Sequence, residues 1–93
     1  MPEIRFQVQW SDGSQDICYS PSLVVKQYFT PDTEYAIEDF VARSQTALRI
    51  ASDRVEAKYG RPCGLALGQL QEIEAKAAGQ APGTKVRVIQ FIE

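Results

Sequence analysis

The sequence has no histidine among its 93 residues, and it has only two cysteines. Histidine is the side chain that proteins use most often as a general base and as a metal ligand, so a Ser-His-Asp or Cys-His catalytic site is excluded within this chain. Two cysteines with carboxylates would be an unusual zinc site, and no glycine-rich phosphate-binding motif occurs. These absences predict no metal and no cofactor, and they favour a non-enzymatic role.

Long apolar segments and a basic stripe are also missing. No apolar run approaches the ~18 residues needed to cross a membrane, and Met1-Pro2-Glu3 leads directly into a strand pattern rather than into an apolar leader. We therefore expect a cytoplasmic protein without membrane association, whose cysteines are reduced. The net charge of −2 predicts no binding of nucleic acid, because phosphate recognition needs clustered positive charge.

The composition that remains is globular, with 44% apolar and 24% charged residues, and the length fits one domain over residues 1–93. Residues 4–10 alternate between apolar and polar side chains, as a half-buried strand does. The Asp-Gly pair at 12–13 predicts a two-residue turn and hence a β-hairpin. This turn fixes a register in which Val8 lies opposite Ile17 and Cys18 lies on the polar face.

Three helices are predicted after the hairpin. A Ser-Pro pair at 20–21 is typical of a helix start and begins a short helix. Apolar residues at helical spacing predict a long helix that begins between residues 32 and 38 and ends at Tyr59, with Gly60 as a left-handed stop. A further helix covers residues 64–78.

The last predicted strand, residues 85–92, carries apolar side chains on both faces. One face holds Val86, Val88 and Ile92, and the other holds Ile89 and Phe91. A strand apolar on both faces is usually central, so we place it next to the first strand. The sequence therefore predicts a two-layer α+β fold: a three-stranded, mainly antiparallel sheet in ββαααβ order, with the helices packed on one face.

Cys18 and Cys63 are the candidate reactive thiols. The predicted register leaves Cys18 partly exposed, and Cys63 precedes a helix, where the N-terminus lowers the pKa of a thiol. The alternative is that both fill space as small apolar residues, which is how cysteine mostly behaves. The sequence does not decide whether the two lie close together.

Five apolar residues are candidates for a protein-binding surface. Trp10 lies at a strand end, and Tyr28 and Phe29 lie in the connector that follows the short helix. Ile89 and Phe91 make the last strand too apolar for a sheet covered on one face only. Such a surface predicts a protein partner or a homo-oligomer. The alternative for the aromatic residues is that they occupy core or boundary positions.

Several short motifs resemble one family. They are Trp10-x-Asp12-Gly13, CYSPS at 18–22, DFVAR at 39–43, Tyr59-Gly60-x-Pro62-Cys63 and Gln69-Leu70-x-x-Ile73. They resemble those of small bacterial nitrogen-starvation response proteins, which are encoded in a nitrilase-centred gene cluster with a radical-SAM protein, an acetyltransferase and a flavoprotein. The resemblance covers nearly the whole chain and implies a cytoplasmic bacterial accessory role in nitrogen metabolism. It brings no catalytic residue, and it singles out Cys18 and Cys63 only as members of its motifs.

These observations favour a non-enzymatic accessory or interaction protein that supports a nitrogen-related pathway. One alternative is an enzyme or redox carrier that uses Cys18, Cys63 or both. Another is a binder of a small ligand in a pocket between the long helix and the sheet.

Overall fold

A computed structural model describes residues 2–93 as an antiparallel sheet with two α-helices. The elements in chain order are β1 (Ile4–Gln9), β2 (Gln15–Ser20), a 3₁₀ helix (Leu23–Gln27), β3 (Thr33–Ala36), α1 (Ile37–Tyr59), α2 (Gly64–Ala78) and β4 (Lys85–Ile92). The sheet has four strands in the order β2-β1-β4-β3, and every neighbouring pair is antiparallel. The α+β class, the β1–β4 pairing and the edge position of β2 are as predicted.

The predicted three-stranded sheet and ββαααβ order are wrong, because β3 was assigned to the start of the long helix. Asp32 adopts a left-handed backbone with φ 58 and turns the chain into β3, a conformation that Asp tolerates better than most residues. Tyr35 then lies opposite Val86 of β4 and is buried. Four residues are too few to show a strand alternation in sequence.

The hairpin register is one residue away from the prediction. Trp10 N–H donates to Ser14 O at 2.8 Å and Gly13 N–H donates to Trp10 O at 3.0 Å, so the loop has three residues rather than two. Gly13 has φ 88, the left-handed residue that ends such loops. Since a shift of one residue exchanges the faces of a strand, Cys18 lies opposite Phe6 in the core and Ile17 is 52% exposed.

A bulge in β4 explains why that strand looked apolar on both faces. Gln90 pairs with Gln7 but Val88 pairs with Val8, so Ile89 is an extra residue between the two pairs. The bulge brings Phe91 opposite Phe6 on the core face. The predicted division of the strand is therefore wrong beyond Val88, and Ile92 lies on the open face, 41% exposed.

Both helices pack on one face of the sheet, where they share one core with its buried residues. The core includes Ile4, Phe6, Val8, Phe29, Tyr35, Phe40, Leu48, Leu70, Ile73, Val86 and Val88. α1 ends at Tyr59 as predicted, and Gly60 stops it with φ 82 while donating its N–H to Glu56 O. The short predicted helix is a 3₁₀ helix, and it begins at Leu23 after a cap at Ser22 instead of at the Ser-Pro pair.

The opposite face of the sheet is open and largely polar. Gln7 donates its side-chain amide to Gln15 at 2.7 Å, and Gln90 donates to Gln7 at 2.8 Å, so one chain of hydrogen bonds crosses three strands. Such a face is typical of an antiparallel sheet whose second side faces water.

Candidate functional site

The core position of Cys18 follows from the three-residue loop at the hairpin. Its side chain is 1% exposed, whereas the predicted register had placed it on the polar face. It borders a cleft of about 230 Å³ between β2 and α2, which we call the β2–α2 cleft. The other lining residues are Trp10, Asp16, Ile17, Gln69, Glu72, Ile73 and Lys76.

The environment of Cys18 disfavours a thiolate. Burial, reinforced by the nearby carboxylates of Asp16 and Glu72, raises the pKa of Cys18 to about 12. A thiol must ionise to act as a nucleophile or to bind a metal. At neutral pH Cys18 is therefore a neutral, small core side chain.

Cys63 lies elsewhere, at the N-cap position of α2, and it is partly exposed. Its backbone N–H donates to the Ser52 hydroxyl at 3.1 Å, which ties the α1–α2 connection to α1. Burial raises the pKa of the nearby Tyr19 above its usual value. Both cysteines are free and line separate clefts with no lining residue in common. Reactivity of Cys63 stays a prediction.

The predicted interaction residues occupy different environments. Trp10 and Phe29 are each 2% exposed and belong to the core. Phe29 packs with ring centroids 5.8 Å from Phe6, 5.3 Å from Tyr35 and 5.3 Å from Phe40, and the Trp10 indole donates to Asp16 at 2.8 Å. These two side chains thus do not form an exposed aromatic patch. The other three, Tyr28, Ile89 and Phe91, are partly buried.

The large apolar side chains with the highest exposure lie where α1 ends and α2 begins. Tyr59 is 63% exposed and Leu65 is 70% exposed. Lys58 and Arg61 are exposed beside them, and the Lys58 ammonium lies 5.4 Å from the centre of the Tyr59 ring. We call Lys58, Tyr59, Arg61 and Leu65 the corner surface. It combines apolar contact area with positive charge.

Sequence reasoning missed the corner surface because it assigned Tyr59 to the buried stripe of the long helix. α1 buries Ala51 and Ser52, and Val55 and Tyr59 of its last turns line a cleft with Tyr19 and Pro21. Val55 is half-buried there, whereas Tyr59 stays 63% exposed. In α2 the buried residues are Ala66, Leu70 and Ile73, and Leu67 is 38% exposed. The signal that the sequence did offer was Leu65, which falls outside the helical spacing of the buried residues Leu70 and Ile73 in α2.

A groove lies at the other end of the helix pair, where α1 begins and α2 ends. Its volume is about 530 Å³. Its lining is mainly apolar and consists of Ile37, Val41, Ala77, Ala78, Ala81 and Pro82, with Glu38, Glu74 and Gln80 at the polar positions. We call it the end groove. No Lys or Arg lines it, so its rim is acidic.

Two further observations concern residues 2–93. No group of three or more His, Cys, Asp or Glu side chains in this range is arranged to hold a metal ion. No helix in this range is both long enough and apolar enough to cross a membrane.

Comparison with known protein families identifies a match. The family model described as nitrogen starvation-induced protein NitG matches residues 5–91. No curated protein matches the chain, and no solved structure matches it. The matched range includes every motif on which the resemblance rested, from β1 to β4. The chain therefore belongs to the family of the nitrogen starvation-induced protein NitG.

Proposed function

We propose that this chain is a non-enzymatic accessory protein of the nitrogen-starvation response and that it acts by binding a protein through the corner surface. The exposure of Tyr59 and Leu65 carries the proposal. Tyr59 and Leu65 border neighbouring clefts that share Glu3 and Tyr19. Exposed apolar side chains grouped in this way, with polar ones around them, mark interaction sites on folded proteins. Tyr and Arg are enriched among the residues that dominate binding energy at interfaces, and Tyr59 and Arg61 supply both.

The chemistry of the chain supports a binding role over a thiol-dependent one. The sequence has no histidine to act as a base, and Cys18 is held as a neutral thiol by its raised pKa. Cys63 has no cysteine partner within the described residues, since both cysteines are free. Membership of the family supplies the physiological setting, which is nitrogen starvation.

The test is affinity capture of a tagged chain from nitrogen-starved cells of the native organism. We expect a stoichiometric protein partner with the wild type and its loss with the double variant Tyr59→Ser/Leu65→Ser. The matched control is Ile17→Ser/Ile92→Ser, which removes exposed apolar area from the open sheet face instead. Equal capture of the same proteins by all three chains would refute a role for the corner surface.

The β2–α2 cleft favours a second candidate function, the binding of a small zwitterion. The carboxylates of Asp16 and Glu72 and the ammonium of Lys76 line this one cleft, so groups of both charges face a shared volume. A free amino acid carries the complementary pair of charges. Calorimetric titration with glutamine, glutamate and lysine tests this role: binding that weakens in Glu72→Gln supports it, and no heat with any of the three rejects it.

A further inference from the structure

The end groove has the features of a docking site for a side chain that is apolar and flanked by positive charge. Among its lining residues Val41 and Ala77 are partly buried, and Ala78 and Pro82 are exposed. Glu38 and Glu74 provide its negative charge, and one Glu74 oxygen is already engaged by Gln45 at 2.9 Å. An apolar floor with a charged rim gives contact area together with orientation.

The corner surface offers the complementary features. Between residues 56 and 65 the chain carries Lys58 and Arg61 against the single acid Glu56, a net charge of +1 (two positive minus one negative). Tyr59 and Leu65 are the two most exposed large apolar side chains among the described residues. The acid that lines the clefts beside both of them, Glu3, is paired with Arg5 at 3.6 Å. The same chain thus carries a basic apolar projection and an acidic apolar groove.

These two sites lie at opposite ends of the molecule. The groove contains the first turn of α1, and the corner surface contains its last residues. A helix of 23 residues is about 34 Å long. The Cα extents are 38 × 23 × 17 Å, so α1 fits only when it runs close to the long axis. One chain therefore cannot bring its own corner surface to its own groove.

We infer that the corner surface of one copy docks into the end groove of a second copy, head to tail. This inference rests on the proposed function, because it names the partner of the same corner surface. Leu65 and Tyr59 occupy the apolar floor, while Lys58 and Arg61 face Glu38 and Glu74. A contact between two different surfaces repeats from copy to copy, giving a ring when its rotation closes and an open chain when it does not.

The test uses purified protein and the mass of its particles, measured by light scattering and sedimentation over a range of concentrations. We expect the wild type to associate as concentration rises and to associate less as salt rises, because opposite charges meet at the contact. The corner variant Tyr59→Ser/Leu65→Ser and the groove variant Ala78→Lys each stay monomeric. Both change exposed positions, and circular dichroism verifies their folding.

Mixing the two variants is the decisive step. Each retains the surface that the other has lost, so an equimolar mixture forms one intact contact and stops at two chains. Matched controls are Ile17→Ser/Ile92→Ser for the corner and Ala75→Lys for the groove, since Ala75 is exposed on α2 outside the groove. Both controls associate like the wild type.

A wild type that stays monomeric at every concentration overturns the inference, and so does a mixture that gives only monomers. Association that persists in either blocking variant also overturns it. These outcomes leave the proposed function standing if the wild type still captures another protein in cells and the corner variant does not. If the wild type and the corner variant capture the same proteins equally, the proposed function itself is refuted.

Discussion

Cys18 illustrates how the chemistry of one residue depends on a single step of strand register. With a two-residue turn it would face the polar side of the sheet, whereas the three-residue loop places it opposite Phe6 in the core. Burial then raises the pKa of the thiol to about 12. Because no partner charge offsets that burial, the folded state favours the neutral thiol.

We expect Cys18 to make the free energy of unfolding depend on alkaline pH. Its thiol ionises near pH 9.0 when unfolded and at about 12 when folded, so the unfolded state binds fewer protons between these values. The stabilisation is complete below pH 9.0 and is lost as pH rises towards 12, by at most about 4 kcal/mol. Urea unfolding at about pH 8 and about pH 10 measures the difference. Cys18→Ala flattens this dependence and Cys63→Ala retains it, whereas equal dependence in wild type and Cys18→Ala contradicts the assignment.

Phe29 gives a second test at the residue scale. The sequence left Phe29 either on an interaction surface or in the core, and its ring lies among Phe6, Tyr35 and Phe40. Phe29→Ala therefore removes a central core side chain and lowers the free energy of unfolding by about 3–5 kcal/mol. Leu23→Ala, at an exposed position of the 3₁₀ helix, is the control with a small effect. A cost near that of an exposed position, about 0.5 kcal/mol or less, would mean that Phe29 is not in the core.

At the scale of elements, the sequence predicted those parts of the fold that depend on local signals. Helical spacing ending at Gly60 located the end of α1, and residues 64–78 were assigned to a helix with the bounds that α2 has. The errors come from features that local patterns do not encode. The loop length, the bulge at Ile89 and the pairing of β3 with β4 are decided by contacts between distant strands.

The candidate sites also divide into features that local sequence signals show and features that depend on distant contacts. The sequence showed that Cys18 and Cys63 were candidate thiols. It did not show that Cys18 is buried, because the Asp-Gly pair predicted a strand register one residue away from the observed one. The corner surface was missed because helical spacing places Tyr59 on the apolar stripe of α1 and does not show how much of its ring the rest of the chain covers, which leaves it 63% exposed. The end groove joins residues 37–41 to residues 77–82, and only the packing of α1 against α2 brings these together.

The contact between α2 and the edge strand β2 is a testable element-scale feature. Trp10 and Ser14 form a hydrogen-bonded pair, and in an antiparallel ladder such pairs alternate with pairs that are not hydrogen-bonded. By this alternation Arg5 and Tyr19 form a pair that is not hydrogen-bonded, so the Tyr19 N–H points away from β1, towards the sheet edge. There it donates to the side-chain oxygen of Gln69 at 3.0 Å. Covering an edge in this way blocks pairing with another strand.

We expect Gln69→Ala to lower the free energy of unfolding by about 0.5–1.5 kcal/mol, since one partly buried hydrogen bond is lost. The Tyr19 amide should also exchange with solvent faster, which hydrogen exchange followed by NMR measures for that single N–H. Gln71→Ala, at an exposed position of the same helix, should leave the Tyr19 exchange rate unchanged. An unaltered Tyr19 rate in Gln69→Ala would show that the edge is protected by something other than this side chain.

For the whole molecule, the two-layer architecture separates the surfaces by chemistry. The open sheet face carries a hydrogen-bonded row of glutamines, which gives little reason for association through that face. The apolar surfaces with charged rims instead lie at the two ends of the long axis. A chain of this shape presents its two apolar surfaces with charged rims end to end rather than side by side.

This arrangement predicts the shape of the two-chain particle formed by mixing Tyr59→Ser/Leu65→Ser with Ala78→Lys. Docking at the ends adds the second chain along the long axis, so the particle is about twice the 38 Å length of one chain while its cross-section stays near 23 × 17 Å. Small-angle X-ray scattering measures both quantities on the same sample. A separate sample of either variant alone provides the one-chain reference. A particle that widens without lengthening would place the contact on the sides of the helices or on the sheet, and the head-to-tail arrangement would then be wrong.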